Sequence, residues 1–221
     1  MSKKAFGSAA IVGLALMDAG SAMAGPPPAP YDWTGFYIGA EGGGAWQKIN
    51  YSNGVVGSVS PGSFIAGGYG GYNYQFSNGF VVGAEGRLDF TNLNETFGSL
   101  NTRTNWMASV GGRIGYSVNG FLPYVGVSGV VSELTQTFTG GVPVSVGRTG
   151  WMFNAGVEVR LGNFLNPGAD YSALRNWSVR AEYRRANFGK ADTFGDLRTK
   201  LVSDVFVFGF STKIDKYTLR A

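Results

Sequence analysis

From Trp33 onward the side chains change character at every second position, and the charges keep to one parity. Between residues 80 and 90 the even positions are Phe80, Val82, Ala84, Gly86, Leu88 and Phe90, whereas Glu85, Arg87 and Asp89 are odd. Trp151, Phe153, Ala155, Val157, Val159 and Leu161 stand in the same way against Asn154, Glu158 and Arg160. Trp177, Val179, Ala181 and Tyr183 alternate with Arg180, Glu182 and Arg184. A strand sends successive side chains to opposite sides, so this pattern is β-structure with one apolar and one ionic face. Glycine, 36 of 221 residues, would ruin helices but not such strands.

Eight segments carry the pattern, at about 34–48, 63–76, 80–92, 104–118, 121–138, 149–162, 177–188 and 201–214. Ser77-Asn78-Gly79 and Asn119-Gly120 are tight hairpin turns, because Asn and Gly accept positive φ. The stretches 49–62, 93–103, 139–148 and 189–200 are longer and polar, so short and long connections alternate. In a soluble sandwich the apolar face would be the core. Two features favour the reverse, with the apolar face on lipid. The strands are long enough for a membrane span, and large aromatics sit near the ends of the apolar face while glycine and small aliphatics fill its middle. These aromatics are Trp33, Phe36, Trp46, Phe64, Phe76, Phe80, Phe90, Trp106, Tyr116, Trp151 and Trp177, and they are expected to form two interfacial girdles. The fold predicted is all-β, an eight-stranded antiparallel up-and-down transmembrane β-barrel spanning 33–214.

The N-terminus agrees with export. Lys3 and Lys4 precede an uncharged run from Ala5 to Met17, and Ala22-Met23-Ala24 offers small residues at the cleavage positions. Residues 1–24 are therefore expected to be a signal peptide. Residues 25–32 follow as a proline-rich periplasmic lead-in, and 215–221 as a C-terminal periplasmic tail. No later apolar run reaches the length of a membrane helix. With no cysteine and no histidine, disulfides, thiolate or imidazole metal sites and Ser-His-Asp chemistry are excluded. No catalytic, cofactor-binding or metal site is expected, and no Gly-rich phosphate loop occurs. The formal charge of +4 contains no basic run, which argues against nucleic acid.

The ionic face is then the lumen. It holds Glu41, Glu85, Arg87, Asp89, Arg113, Glu158, Arg160, Arg180, Glu182 and Arg184, with acids and bases in equal number. Buried charge is costly unless paired, and an eight-stranded barrel is just wide enough for side chains to fill. The expectation is a structural ion-pair network that, with Tyr37, Tyr69, Asn73, Gln75 and Asn154, plugs the barrel and leaves no open pore. Arg185 and Asp204 fall on the apolar parity, near the presumed loop side.

Trp33-Thr34-Gly35-Phe36-Tyr37-Ile38-Gly39, after a proline-rich lead-in, resembles the opening strand of the small outer-membrane β-barrel proteins of Gram-negative bacteria, the porin-family surface antigens related to the OmpA transmembrane domain. Arg113-Ile114-Gly115-Tyr116, Leu122-Pro123-Tyr124-Val125, Arg148-Thr149-Gly150-Trp151 with Gly156-Val157-Glu158, and Asn176-Trp177-Ser178 with Glu182-Tyr183 extend the likeness over nearly the whole mature chain. It implies an eight-stranded antiparallel barrel with periplasmic termini in the outer membrane, and no catalytic residue. The partners expected are outer-membrane lipid and lipopolysaccharide and the barrel-assembly machinery. Two departures stand out: the link 163–176 is longer than the short turn due there, and the chain does not end in an aromatic residue. The function expected is a structural protein that stabilises the envelope and displays four extracellular loops. The alternatives are a narrow or gated porin-like channel, or ligand or host binding by the loops, haem included. A haem ligand would have to be tyrosine or methionine.

Overall fold

The structure is a computed structural model that describes residues 31–51, 56–59, 62–97, 100–163, 176–193 and 197–214. The expected signal peptide 1–24, most of the expected lead-in, residues 164–175 of the long link and the expected tail 215–221 lie outside the described residues. The strands are β1 (Gly35–Tyr51), β2 (Val56–Val59), β3 (Ser63–Gln75), β4 (Phe80–Phe97), β5 (Leu100–Tyr116), β6 (Phe121–Phe138), β7 (Val144–Arg160), β8 (Trp177–Thr193) and β9 (Leu197–Ile214). From β3 to β9 each pairs antiparallel with the next, β1 pairs with β3, and β9 returns to β1 over residues 36–51. With one edge of β1 taken by β9, the four-residue β2 must share the other edge with β3. It takes up that row at Lys48, opposite Val59, and carries a register shift between Lys48 and Asn50. The barrel is therefore closed and eight-stranded.

Its stagger can be followed from partner to partner. Tyr37 lies opposite Gly71, then come Glu85, Gly111, Ser128, Met152, Ala186 and Ser203, and the row returns to β1 at Gln47, ten residues further along. Ten is even, so the lumen parity is preserved on closure. Eight strands with that stagger tilt by about 40° and enclose a cylinder about 16 Å across, backbone to backbone. The outward aromatics fit this tilt. Phe36 and Trp46, Phe80 and Phe90, and Trp106 and Tyr116 are each ten residues apart. Ten residues at that tilt rise about 25 Å, the height of an outer-membrane apolar band. Phe80 pairs with Tyr116 and Phe90 with Trp106, so the rings form rows at two levels.

Turns close one end as their chemistry requires. Asn119 and Gly120, both at positive φ, join β5 to β6 between the bridged Val118 and Phe121, and Gly79 turns β3 into β4. At the other end the strands outrun the sequence pattern. The polar stretches 93–103 and 189–200, expected as loops, are largely hydrogen-bonded ladder in β4, β5, β8 and β9. Backbone pairing needs no apolar face, so the alternation ends before the strands do. Register shifts mark that passage at Phe90/Leu93, Thr104/Met107 and Asn187/Lys190, next to the upper row of rings.

Inside, tyrosines lie flat on glycines of the neighbouring strand. A methyl group on Gly71 would sit 2.5 Å from Tyr37 Oη, and one on Gly156 would sit 2.8 Å from Tyr124 Oη and 2.7 Å from the Ala181 carbonyl. Only a residue without Cβ lets the rings cross so narrow a lumen. Gly71→Ala is expected to displace Tyr37 from its Glu85 bond and to cost about 1–3 kcal/mol in urea unfolding from lipid vesicles. An unchanged midpoint would mean that the ring has room to move.

Candidate functional site

Glu41 on β1, Glu85, Arg87 and Asp89 on β4, Arg113 on β5, Glu158 on β7 and Arg180, Glu182 and Arg184 on β8 all point into the lumen and are buried. Three carboxylates and three guanidiniums alternate in a closed ring. Glu85 pairs with Arg87, Arg87 Nη2 with Glu182 Oε2 at 2.9 Å, and Glu182 with Arg184 Nε. Arg184 Nη2 then meets Glu41 Oε2 at 2.6 Å, Glu41 meets Arg180 Nη2 at 2.6 Å, and Arg180 Nη1 returns to Glu85 Oε2 at 2.8 Å. Each guanidinium bridges two carboxylates, which the planar fork of arginine allows and a point-like ammonium does not.

Two arms hang from the ring. Asp89 Oδ2 accepts from Arg184 at 3.1 Å. Arg113 lies 3.6 Å from Glu85 and 3.1 Å from Glu158, whose other oxygen accepts from Ser178 at 2.5 Å and Ser211 at 3.1 Å. Neutral groups serve further lone pairs of Glu85 and Glu182. Tyr37 donates to Glu85 at 2.7 Å, while Tyr124 and Asn154 donate to Glu182 at 2.7 and 2.9 Å. The Arg180 guanidinium lies over the Tyr69 ring at 3.3 Å, and that of Arg113 over Tyr37 and Tyr124 at 4.8 and 5.0 Å.

Arg160 does not join this cluster. It is half-buried at the end of β7, with its guanidinium 4.2 Å over the Tyr31 ring. Equal numbers of acids and bases were expected in the lumen; the structure brings together five carboxyls and four guanidiniums. Trp33 is also misplaced by parity alone. Expected in the lipid-facing girdle, it is 5% exposed and packs inside against Val81 and Leu122. Its backbone N–H donates to Gln75 and its indole N–H to Ser117. The segment before β1 bends under the barrel mouth, and an indole that caps a tube reads in sequence like one that meets lipid. The other expected girdle residues, Phe36, Trp46, Phe64, Phe76, Phe80, Phe90, Trp106, Tyr116, Trp151 and Trp177, face outward, from Trp177, stacked on Phe210, to Phe64 at 70% exposure. Arg185 and Asp204 face each other across β8 and β9 on the outer surface, where Asp204 accepts from Tyr183 at 2.6 Å.

Beyond the ring, toward the end opposite the short turns, the lumen turns apolar. Ala45, Ile65, Met107, Val130, Met152, Ala186, Phe188, Val205 and Val207 form one buried cluster. All lie on the lumen-facing parity of their strands, and the sequence pattern gave no expectation of them. Their spacing from the charges along each strand, read with the stagger, would have placed them at one level. The ionic layer thus sits between this collar and the Trp33, Val81 and Leu122 cap. Tyr124, Ser178 and Ser211 were equally unforeseen as partners.

A family model described as an outer membrane protein beta-barrel domain matches residues 12–213. The 31 kDa outer-membrane immunogenic protein of Brucella melitensis is 30% identical over 215 residues, covering 83% of this chain and 88% of that one. The 22 kDa outer membrane protein of Rhizobium leguminosarum bv. viciae is 28% identical, covering 72% of this chain and 66% of its own length. Among solved structures, Neisserial surface protein A superposes with a TM-score of 0.51 at 19% identity, over 82% of this chain and 98% of that one.

Proposed function

The chain belongs to the outer membrane protein beta-barrel domain family and resides in the outer membrane, and on that premise we propose that it is a structural envelope protein whose lumen is closed and whose four outward connections form its displayed surface. One observation carries this reading: the ring of ion pairs lies between two apolar layers, so an ion crossing the lumen would have to break paired charges and pass dry contacts at both ends. The end holding the short turns, with the start of β1 and the end of β9, is assigned to the periplasm. The ends of β4–β9 that outrun the membrane band are assigned to the exterior, and a name such as "immunogenic" on a relative agrees with a displayed surface. The lipid-facing girdles would meet outer-membrane lipid and lipopolysaccharide.

Planar-bilayer recording tests closure. Pure protein is expected to give no steady unitary steps. Trp33→Ala alone should stay silent, since the ring and the collar remain. Steady steps from the wild-type protein would overturn the closed lumen. The second reading is a gated pore, favoured by Arg87 Nη1, Arg113 Nη2 and Arg180 Nε, buried donors without a protein partner that a file of water could serve. It calls for voltage- or pH-dependent openings in the same recording.

A further inference from the structure

Above the apolar collar the lumen carries one more guanidinium, and among the described residues it has no acid. Arg148 lies on β7 with the parity of Met152, Asn154 and Glu158, and is 6% exposed. Its Nε and Nη1 are buried without a hydrogen-bond partner. Ser132, buried on β6, is its direct cross-strand neighbour and donates its own proton to the Trp106 carbonyl at 3.0 Å. On the far side of β6, Thr104 of β5 is 2% exposed, and its hydroxyl also lacks a partner. The row from Asp89 through Met107 and Ser132 to Arg148 climbs with the strand tilt, so Arg148 lies beyond the upper aromatic row. Of the lumen carboxylates, Glu41, Glu85, Asp89, Glu158 and Glu182 all engage other guanidiniums below the collar.

A guanidinium stripped of water and left unpaired is among the most costly groups a protein can bury. The lumen below it is apolar, since Val130 lies one same-face pair down the β6–β7 ladder and packs with Met107 and Met152, which strengthens its pull on any anion that reaches it. We propose that Arg148 is the anchor of an oxyanion site in the outer vestibule, binding a phosphate or carboxylate through its planar fork, with the Thr104 hydroxyl as a further donor. A bidentate anion would satisfy Nε and one terminal nitrogen together. Because the side chain faces the lumen rather than lipid, the ligand is a soluble anion and not a membrane headgroup.

The test is isothermal titration of the full chain, folded in detergent, with sodium phosphate and separately with sodium acetate, at constant ionic strength set by chloride. Saturable binding of at least one is expected, and the stronger of the two identifies the anion class. Arg148→Met, checked for folding by heat-modifiable gel migration, should bind at least about tenfold more weakly. Without added oxyanion its thermal midpoint should equal or exceed that of the wild type, whereas a purely structural arginine would lose stability on replacement. Wild-type protein that shows no saturable response to either anion, or R148M that titrates like wild type, overturns the site. The wild-type titration decides the matter alone should R148M fail to fold.

Discussion

Glu182→Gln is expected to lower the unfolding free energy by about 3–5 kcal/mol, the usual consequence of removing one member of a buried ion pair. Glu182 is fully buried and accepts from Arg87, Arg184, Tyr124 and Asn154. Glutamine keeps its shape but leaves two guanidiniums facing each other across a neutral amide, and its NH2 group must point at one of the donors. The ring makes a second statement possible. Cutting it once strands charge on both sides of the cut, so a second cut beside the first adds little. Arg87→Met with E182Q should therefore cost about 1–3 kcal/mol less than the two singles summed.

Asp89 supplies the contrast. It hangs on the ring through one contact with Arg184, and its Oδ1 has no partner. It is also the surplus carboxyl among the five acids facing four guanidiniums. Asp89→Asn is expected to cost about 1 kcal/mol or less, near the value of a single hydrogen bond. Urea unfolding in lipid vesicles, followed by tryptophan fluorescence, measures all four variants. Equal losses for E182Q and D89N would mean that the closed ring has no energetic standing beyond its separate pairs.

The ring also shows where the sequence was readable. Confinement of Glu85, Arg87, Glu158, Arg180, Glu182 and Arg184 to one parity follows from the pleat, so their shared face is legible from two-residue spacing. The pairing of Glu85 with Arg87 and of Glu182 with Arg184, two residues apart on one face, is legible too, but who pairs across the lumen is not. Arg180 reaches Glu85 and Glu41 because the strands tilt by about 40°, and that angle depends on the register of all eight pairings. Arg160 shares the parity of Glu158 but lies two residues nearer the mouth, where the lumen opens toward Tyr31. Parity fixes a face and leaves height open. The collar escaped for the same reason. Ala45, Met107 and Val205 obey the lumen parity without carrying charge, and the alternation speaks only through contrast. Trp33 precedes the first strand, where no pleat constrains it, so the rule that placed Phe36 and Trp46 outward had no force there. The polar ends of β4 and β5 read as loops because their residues show no apolar alternation, whereas their backbones stay paired through Phe97 and Leu100.

Val110→Arg tests the outward face, on which the whole arrangement depends. Val110 is 69% exposed and sits four residues from Trp106 and six from Tyr116, close to halfway between the two aromatic rows. If that face meets hydrocarbon, a guanidinium there lies near the bilayer midplane and costs about 2–4 kcal/mol. The side chain has no short route to water, since either interface is about 12 Å away along the barrel axis. Val118→Arg, past Tyr116 at the turn, should cost only about 0–1 kcal/mol, because an interfacial arginine can reach lipid headgroups. The natural Arg185, set near the upper row and facing Asp204, shows the same tolerance. The difference between the two variants is the decisive quantity, for both add one charge to an exposed valine on one strand and its turn. Unfolding in phosphatidylcholine vesicles should separate them by at least about 2 kcal/mol, and the gap should shrink in short-chain detergent, whose thin apolar belt deforms around the charge. Were V110R and V118R to unfold alike in vesicles, the apolar face would not be facing lipid. The ring of ion pairs would then sit on the solvent side of some other fold.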